Sequence, residues 1–218
     1  MVTRAQLSQD RSRQRRDELL NAAIELFAEG GSRSITHRAV AAKAGLPPAT
    51  TTYYFESIDD LIREALAAHI QQWTNDLENL AQVEVRADVS LDDAADFINA
   101  VFAARGPEVA ALELSIFLAA ARVPELRDNA TRAMRALETL AVQLLARVGV
   151  ADPDRLAGMT VSLVVGTAVR RQSGVYSEQT EAALLTAAIR DLVAAHLIGP
   201  GAVAETLTSL VRPSAAQS

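Results

Sequence analysis

Along most of this chain apolar residues recur every three or four positions, the period of an α-helix packed on one side. Glycines, prolines and capping residues cut that pattern into segments. The first segment predicts a helix from about Ser12 to Glu29, with Leu19, Leu20, Ala23, Ile24 and Phe27 on one stripe. Gly30-Gly31 ends it, because glycine accepts the left-handed geometry of a helix stop. Thr36 is a good N-cap for a second, short helix that reaches about Ala44 and is closed by Gly45. A third helix spans roughly Pro48 to Phe55, with prolines at its entry, where a missing N–H costs little. Ser57 and Asp60 have the spacing of a capping box. They open a helix of about 25 residues striped by Leu61, Ile62, Ala65, Leu66, His69, Ile70, Trp73, Leu77 and Leu80.

Five or six further helices follow. One starts at Ser90 and holds Phe97, Val101 and Phe102; the next starts at Gly106-Pro107 and holds Leu112, Ile116 and Phe117. Others run from Pro124 to about Val148, from Asp152-Pro153 to about Ser173, from Glu178 to Ile198 behind the cap Ser177, and over 201–211. No segment alternates as a strand would. The pattern predicts an all-α protein: a three-helix head over 1–56, a larger helical body over 57–212, and a frayed Ser/Ala/Gln tail over 213–218.

Composition narrows this further. Half of the residues are apolar, which excludes disorder of the whole chain, and they are mainly Ala, Leu and Val with 4% aromatics, which favours helix. The absence of cysteine excludes disulfides and cysteine-ligated zinc. Met1 to Arg16 is polar and Arg-rich, without the apolar core of a secretory signal. The 14 apolar-rich residues between Arg155 and Arg170 include Thr160, Ser162 and Thr167, too short and too polar a run to span a bilayer. A cytoplasmic protein with no membrane partner is expected. The net charge of −6 argues against a nucleic-acid partner until it is divided by position. Residues 1–55 carry eight Lys or Arg against five Asp or Glu, whereas the remainder carries 13 against 22. A basic head on an acidic body is expected where only the head meets phosphate; a flexible tail with a chance arginine cluster fits the charge equally well.

Little points to an enzyme. His37, His69 and His196 fall on separate predicted helices without ligand spacing. There is no cysteine nucleophile, Gly-x-Ser-x-Gly, phosphate loop or His-Glu-x-x-His. No catalytic residue, metal site or cofactor is therefore predicted.

The stretch from Thr36 to Leu61 carries the functional signal. Two short helices meet at a tight turn at Gly45, with Val40, Ala41, Ala44 and Leu46 able to pack inward, which is the layout of a helix-turn-helix. The second helix of the pair turns Thr50, Thr51 and Thr52 outward in this reading. The sequence here resembles the TetR family of bacterial repressors, on Thr36, Ala41, Ala44-Gly45-Leu46, Thr50, Tyr54-Phe55, Ser57 and Leu61 at that family's spacing. The apolar first helix and the total length match as well; the body matches only in size and helical character. Two positions depart: Thr52 stands where the family commonly has an aromatic residue, with Tyr53 just after it, and Ile58 stands where it often has lysine.

The resemblance implies an operator-binding repressor with roles for particular residues. Arg38 matches a base-reading position, and arginine grips guanine O6 and N7 in a bidentate way; a phosphate contact or a surface ion pair is the alternative. Thr36 and His37 are expected at phosphates. Pro48, Ala49, Thr50 and Thr51 are expected at the groove-facing start of the recognition helix. Tyr53 and Tyr54 are expected to take over phosphate contacts. Arg11, Arg13, Arg15 and Arg16 form either an arm along the backbone or in a minor groove, or a solvated tail.

The body is expected to dimerise and to hold an effector. Helix 178–198 is so apolar, with Ala182, Leu184, Leu185, Ala188, Ile189, Leu192, Val193 and Ala195, that it must be buried on nearly all sides. The resemblance implies a homodimer in which the last two long helices of each subunit meet, through Leu163, Leu185, Ile189, Leu192 and Val193; burial within one subunit is the alternative. It also implies a small-molecule site in the body. Trp73, Phe97, Val101, Phe102, Phe117 and Met134 are candidate walls, with Glu113 as a polar anchor, or else ordinary core and a solvated charge. Such walls would suit a largely apolar ligand.

Overall fold

Helix follows helix through the computed structural model, which describes residues 4–82, 100 and 105–211. The elements are α1 (Arg4–Gly30), α2 (His37–Lys43), α3 (Ala49–Tyr54), α4 (Ile58–Gln82), α5 (Pro107–Ala120), α6 (Arg127–Arg147), α7 (Asp154–Arg171), α8 (Glu178–Ile198) and α9 (Pro200–Val211). Short 3-10 turns at Ser32–Ser34 and Pro124–Leu126 complete them, and no strand occurs among the described residues. The helix expected from Ser90 through Phe97, Val101 and Phe102 lies outside the described residues.

The caps act as their chemistry requires. The Ala39 N–H donates to Thr36 Oγ1 at 3.1 Å, the Asp60 N–H to Ser57 Oγ at 3.0 Å and the Thr180 N–H to Ser177 Oγ at 3.2 Å. Each satisfies a backbone donor that a helix start leaves free, worth about 1 kcal/mol. The start of α1 differs from expectation: it begins at Arg4, eight residues before Ser12. Residues 4–16 have no apolar stripe, but Ala, Gln, Leu and Arg are strong helix formers, so propensity extends a helix that periodicity could not detect.

The chain divides into two compact units, one drawn from Met1–Asn79 and Pro107–Ala136, the other from Leu80–Gly106 and Leu137–Ser218. In the first, Leu19, Leu20, Ala22, Ala23, Ile35, Val40 and Phe55 form a core with Leu61 and Ala65 of α4. The head core thus runs past residue 56 into the long helix. Farther along α4, Ile70, Trp73 and Leu77 are buried, as are Leu112, Ile116 and Ala120 of α5. The Trp73 and Phe117 rings meet edge to face with centroids 5.7 Å apart. Asn129 of α6 donates to the Ala67 carbonyl at 3.3 Å. Glu113 and Met134 are half-buried.

In the second unit α7 and α8 pack together over Leu156, Ala157, Val161, Ala182, Leu185 and Val193. Charges clasp their connection. Buried Arg171 bonds Glu178 and donates to the Arg105 carbonyl at 2.8 Å, and Arg170 meets fully buried Glu181 at 2.6 Å. Of the expected dimer residues, Leu185 and Val193 are 3% and 1% exposed and lie in the core of their own subunit. Eight positions separate them, so the helical period turns both to the α7 side. Leu163, Ile189 and Leu192 are half-buried. The outward face of α8 carries Ala183, Leu184, Ala187, Arg190, Asp191, Ala194 and Ile198. Beyond Gly199, at φ 92°, α9 leaves α8 at 106°. No single described helix is long and apolar enough to cross a membrane.

Candidate nucleic-acid interface

The geometry of the head starts with one glycine. At the end of α2 the Leu46 N–H donates to the Ala41 carbonyl at 2.9 Å and the Gly45 N–H to the Ala42 carbonyl at 3.2 Å. This paired closure needs a left-handed residue between the two donors, and Gly45 supplies it at φ 68°. Leu46 then packs into the head core, so the chain turns sharply and leads through Pro47-Pro48 into α3. Pro48 already has helical angles, φ −53° and ψ −34°. Phe55, 2% exposed, pins the far end of α3 to the core.

Burial sorts the residues expected to face DNA. Thr36, Arg38, Pro48, Ala49 and Tyr53 are exposed, Tyr53 by 80% of its surface. Thr50 and His37 are half-buried, and His37 Nδ1 is enclosed without a hydrogen-bond partner. Thr51 is 0% exposed, and its hydroxyl donates to the Pro48 carbonyl at 3.0 Å. It closes the α2–α3 contact from inside, because α3 is one and a half turns long and must turn one side chain into the head. Tyr54 is also inward of expectation; its hydroxyl lies 3.1 Å from Ser12 Oγ of α1. Its ring meets that of Tyr53 edge to face at 4.9 Å. Ile58 is packed against the core.

Pairing sorts the cations. Arg16 pairs with Glu64 of α4, and its guanidinium stands 5.3 Å over the Phe55 ring. Lys43 bridges Glu29 at 2.7 Å and Glu25 at 3.2 Å, and these hydrogen bonds, Glu29 first, raise its pKa above the ordinary lysine value. Arg63 pairs with Asp60. Arg11, Arg13, Arg15 and Arg38 are exposed, and among the described residues they make no ion pair. The first three ride on helix α1, where Arg11 and Arg15 share a face and Arg13 lies on the opposite side. Arg11, Ser12 and Arg15 line one cleft with Ala49, Thr50, Tyr53 and Tyr54 of α3. Sequence reasoning missed Ser12 and Glu64. Ser12 shares the helical face of Arg16 and Leu19, a spacing that marks it as inward.

Comparison with known proteins adds the following. Residues 19–65 match the family described as bacterial regulatory proteins, tetR family, and residues 89–195 match the tetracyclin repressor-like C-terminal domain. The HTH-type transcriptional regulator BetI of Brucella suis biovar 1 is 28% identical over 189 residues, covering 85% of this chain and 92% of that protein. A TetR-family protein from Mesorhizobium loti shares the fold with a TM-score of 0.65 at 20% identity, over 84% of this chain and 97% of that one. The multidrug binding protein EbrR, in complex with proflavin, superposes with a TM-score of 0.53 at 26% identity, over 79% of this chain and 98% of that one.

Proposed function

The chain belongs to the TetR family and is a helix-turn-helix transcriptional regulator, not an enzyme; from this premise we propose that it is a cytoplasmic repressor that binds a palindromic operator as a homodimer and lets go when a small, largely apolar effector binds. The observation that carries the DNA half is the sorting of cations. Arg16, Lys43 and Arg63 are spent on internal pairs, whereas Arg11, Arg13, Arg15 and Arg38 are exposed and unpaired on the head. Residues 1–56 are the DNA-binding part. Arg38, Pro48, Ala49 and Thr50 read bases, and Thr36, His37, Tyr53 and the α1 arginines hold phosphates.

Residues 57–212 dimerise and bind the effector. The outward face of α8 carries Ala183, Leu184, Ala187, Ala194 and Ile198 with the charges Arg190 and Asp191 among them, and exposed Met159 and Val169 lie on α7. Such surfaces, with half-buried Leu163, Ile189 and Leu192 at their flanks, fit a two-fold contact with the same faces of a second copy. The effector site is assigned to Trp73 and Phe117, with Glu113 and Met134; EbrR in complex with proflavin is the precedent for a small molecule bound by a protein of this fold. Release requires that the effector bind better to a form whose two heads cannot fit successive grooves, since equal affinity for both forms would shift nothing.

Selection of purified protein on random duplexes at physiological salt tests this. A palindrome should be enriched, with half-sites about one helical turn apart. A folded protein that enriches no sequence, or only an asymmetric single site, overturns the reading.

A further inference from the structure

The match to the C-terminal domain ends at residue 195, so α9, Pro200–Val211, lies wholly beyond it and has no assigned role. Gly199 forms an elbow before this helix. At φ 92° its N–H donates to the Ala195 carbonyl and its own carbonyl accepts from the Val203 N–H, both at 3.2 Å. These bonds fix the direction of α9 at 106° to α8. Val203, Leu207 and Leu210 recur at helical spacing as one apolar stripe, with Glu205 and Thr208 on the opposite side. Ala202 and Val203 are half-buried where the first turn leaves α8, but Leu207 and Leu210 farther out are 57% and 76% exposed. Thr206, Thr208 and Ser209 donate their hydroxyls back to α9 carbonyls at 2.7–2.8 Å, so these donors are satisfied without an outside partner.

A helix of 12 residues is marginal in water unless its apolar side packs on something. Leu197 and Ile198, also exposed, continue the stripe around the elbow onto the outward face of α8, the surface assigned above to a second copy. An anionic bilayer surface suits the stripe poorly, because residues 200–211 carry Glu205 and no Lys or Arg, and only Arg212 follows. Resting on the homodimer reading above, we propose that α9 is an arm that lays Leu207 and Leu210 on the second copy of this chain, extending the two-fold contact past the end of α8. Each subunit gives one arm and receives one.

Sedimentation of the full chain tests the arm. Leu207→Glu combined with Leu210→Glu should raise the dimer dissociation constant at least about tenfold, since the lost burial counts once for each arm. Thr208→Glu, on the opposite side, should leave it unchanged. All three positions are exposed, so both variants should keep the wild-type helix content, which circular dichroism checks. The chain has no cysteine, so an introduced thiol reports alone. In the dimer, Leu207→Cys should react with Ellman's reagent much more slowly than Thr208→Cys, and dilution below the dissociation constant should remove the difference. An unchanged dissociation constant in the double variant, or thiol rates that ignore protein concentration, overturns the arm and leaves the homodimer reading standing. Protection of Leu207→Cys by phosphatidylglycerol vesicles, but not by protein concentration, assigns the stripe to a membrane and overturns the arm as well. A wild type that stays monomeric at every concentration overturns the homodimer reading, and the arm with it.

Discussion

Thr50 and Thr51 are neighbours on the recognition helix, and exchanging each for valine should separate reading from folding. Thr51 is 0% exposed and donates a 3.0 Å hydrogen bond to the Pro48 carbonyl, with the His37 carbonyl at the 3.5 Å limit. Valine keeps its branched shape and removes that bond, a net loss of about 1 kcal/mol. In a chain of this size that lowers the unfolding midpoint by about 2–4 °C. Thr51→Ala also empties the volume of a buried methyl group, adding about 1 kcal/mol, so its midpoint should fall about twice as far. Neither should alter the selected operator at 25 °C, where the protein stays folded. Thr50→Val behaves in the opposite way. Thr50 is half-buried on the cleft wall, so stability should hold within about 0.5 kcal/mol while the preferred bases shift. Thermal unfolding followed at 222 nm and repeated duplex selection give the two readouts. If Thr51→Val changes the enriched sequence at unchanged stability, the placement of Thr51 inside the head is wrong and the orientation of α3 with it.

Further consequences can be measured with the same materials. Arg16→Gln, which removes the Glu64 brace, should cost up to about 1 kcal/mol of stability and leave the salt slope of DNA binding unchanged. Arg38→Ala should weaken the selected operator by about 1–3 kcal/mol and relax one base position, seen as lost information there in a new selection. Leu184→Glu, on the outward face of α8, should yield a folded monomer by sedimentation, whereas Leu185→Ala should cost about 2–5 kcal/mol of stability through a core cavity. Arg170→Ala strands the carboxylate of Glu181, 1% exposed, and should lower the midpoint more than Glu181→Gln does, as differential scanning calorimetry would report.

Much of the architecture was legible from the residues alone. The helix boundaries at Ser57, Pro107 and Ser177 follow from caps and prolines, and the turn at Gly45 follows from the demand for a left-handed residue; these are local signals that act within one turn of chain. The helix-turn-helix and its family could be read because its spacing is itself local. The start of α1 at Arg4 was not, since periodicity reports a buried face and residues 4–16 expose most of theirs.

What the residues could not decide was which polar group faces which neighbour. Sequence assigns Arg11, Arg13, Arg15 and Arg16 a common role; only the packing of α1 against α4 brings Glu64 to Arg16 and leaves the others free. It likewise treats Thr50 and Thr51 alike, and it picks Leu185 over Leu184 for the dimer face, yet Thr51 and Leu185 are the buried members of each pair, because a helix turns its neighbouring positions about 100° apart and the partner elements select the buried direction. Spacing along the chain determines that a helix forms and which stripe is apolar. Pairing between charges dozens of residues apart, as between Arg16 and Glu64, and the side on which a helix with apolar residues on most sides, such as α8, meets its own subunit, depend on tertiary contacts that no local pattern encodes.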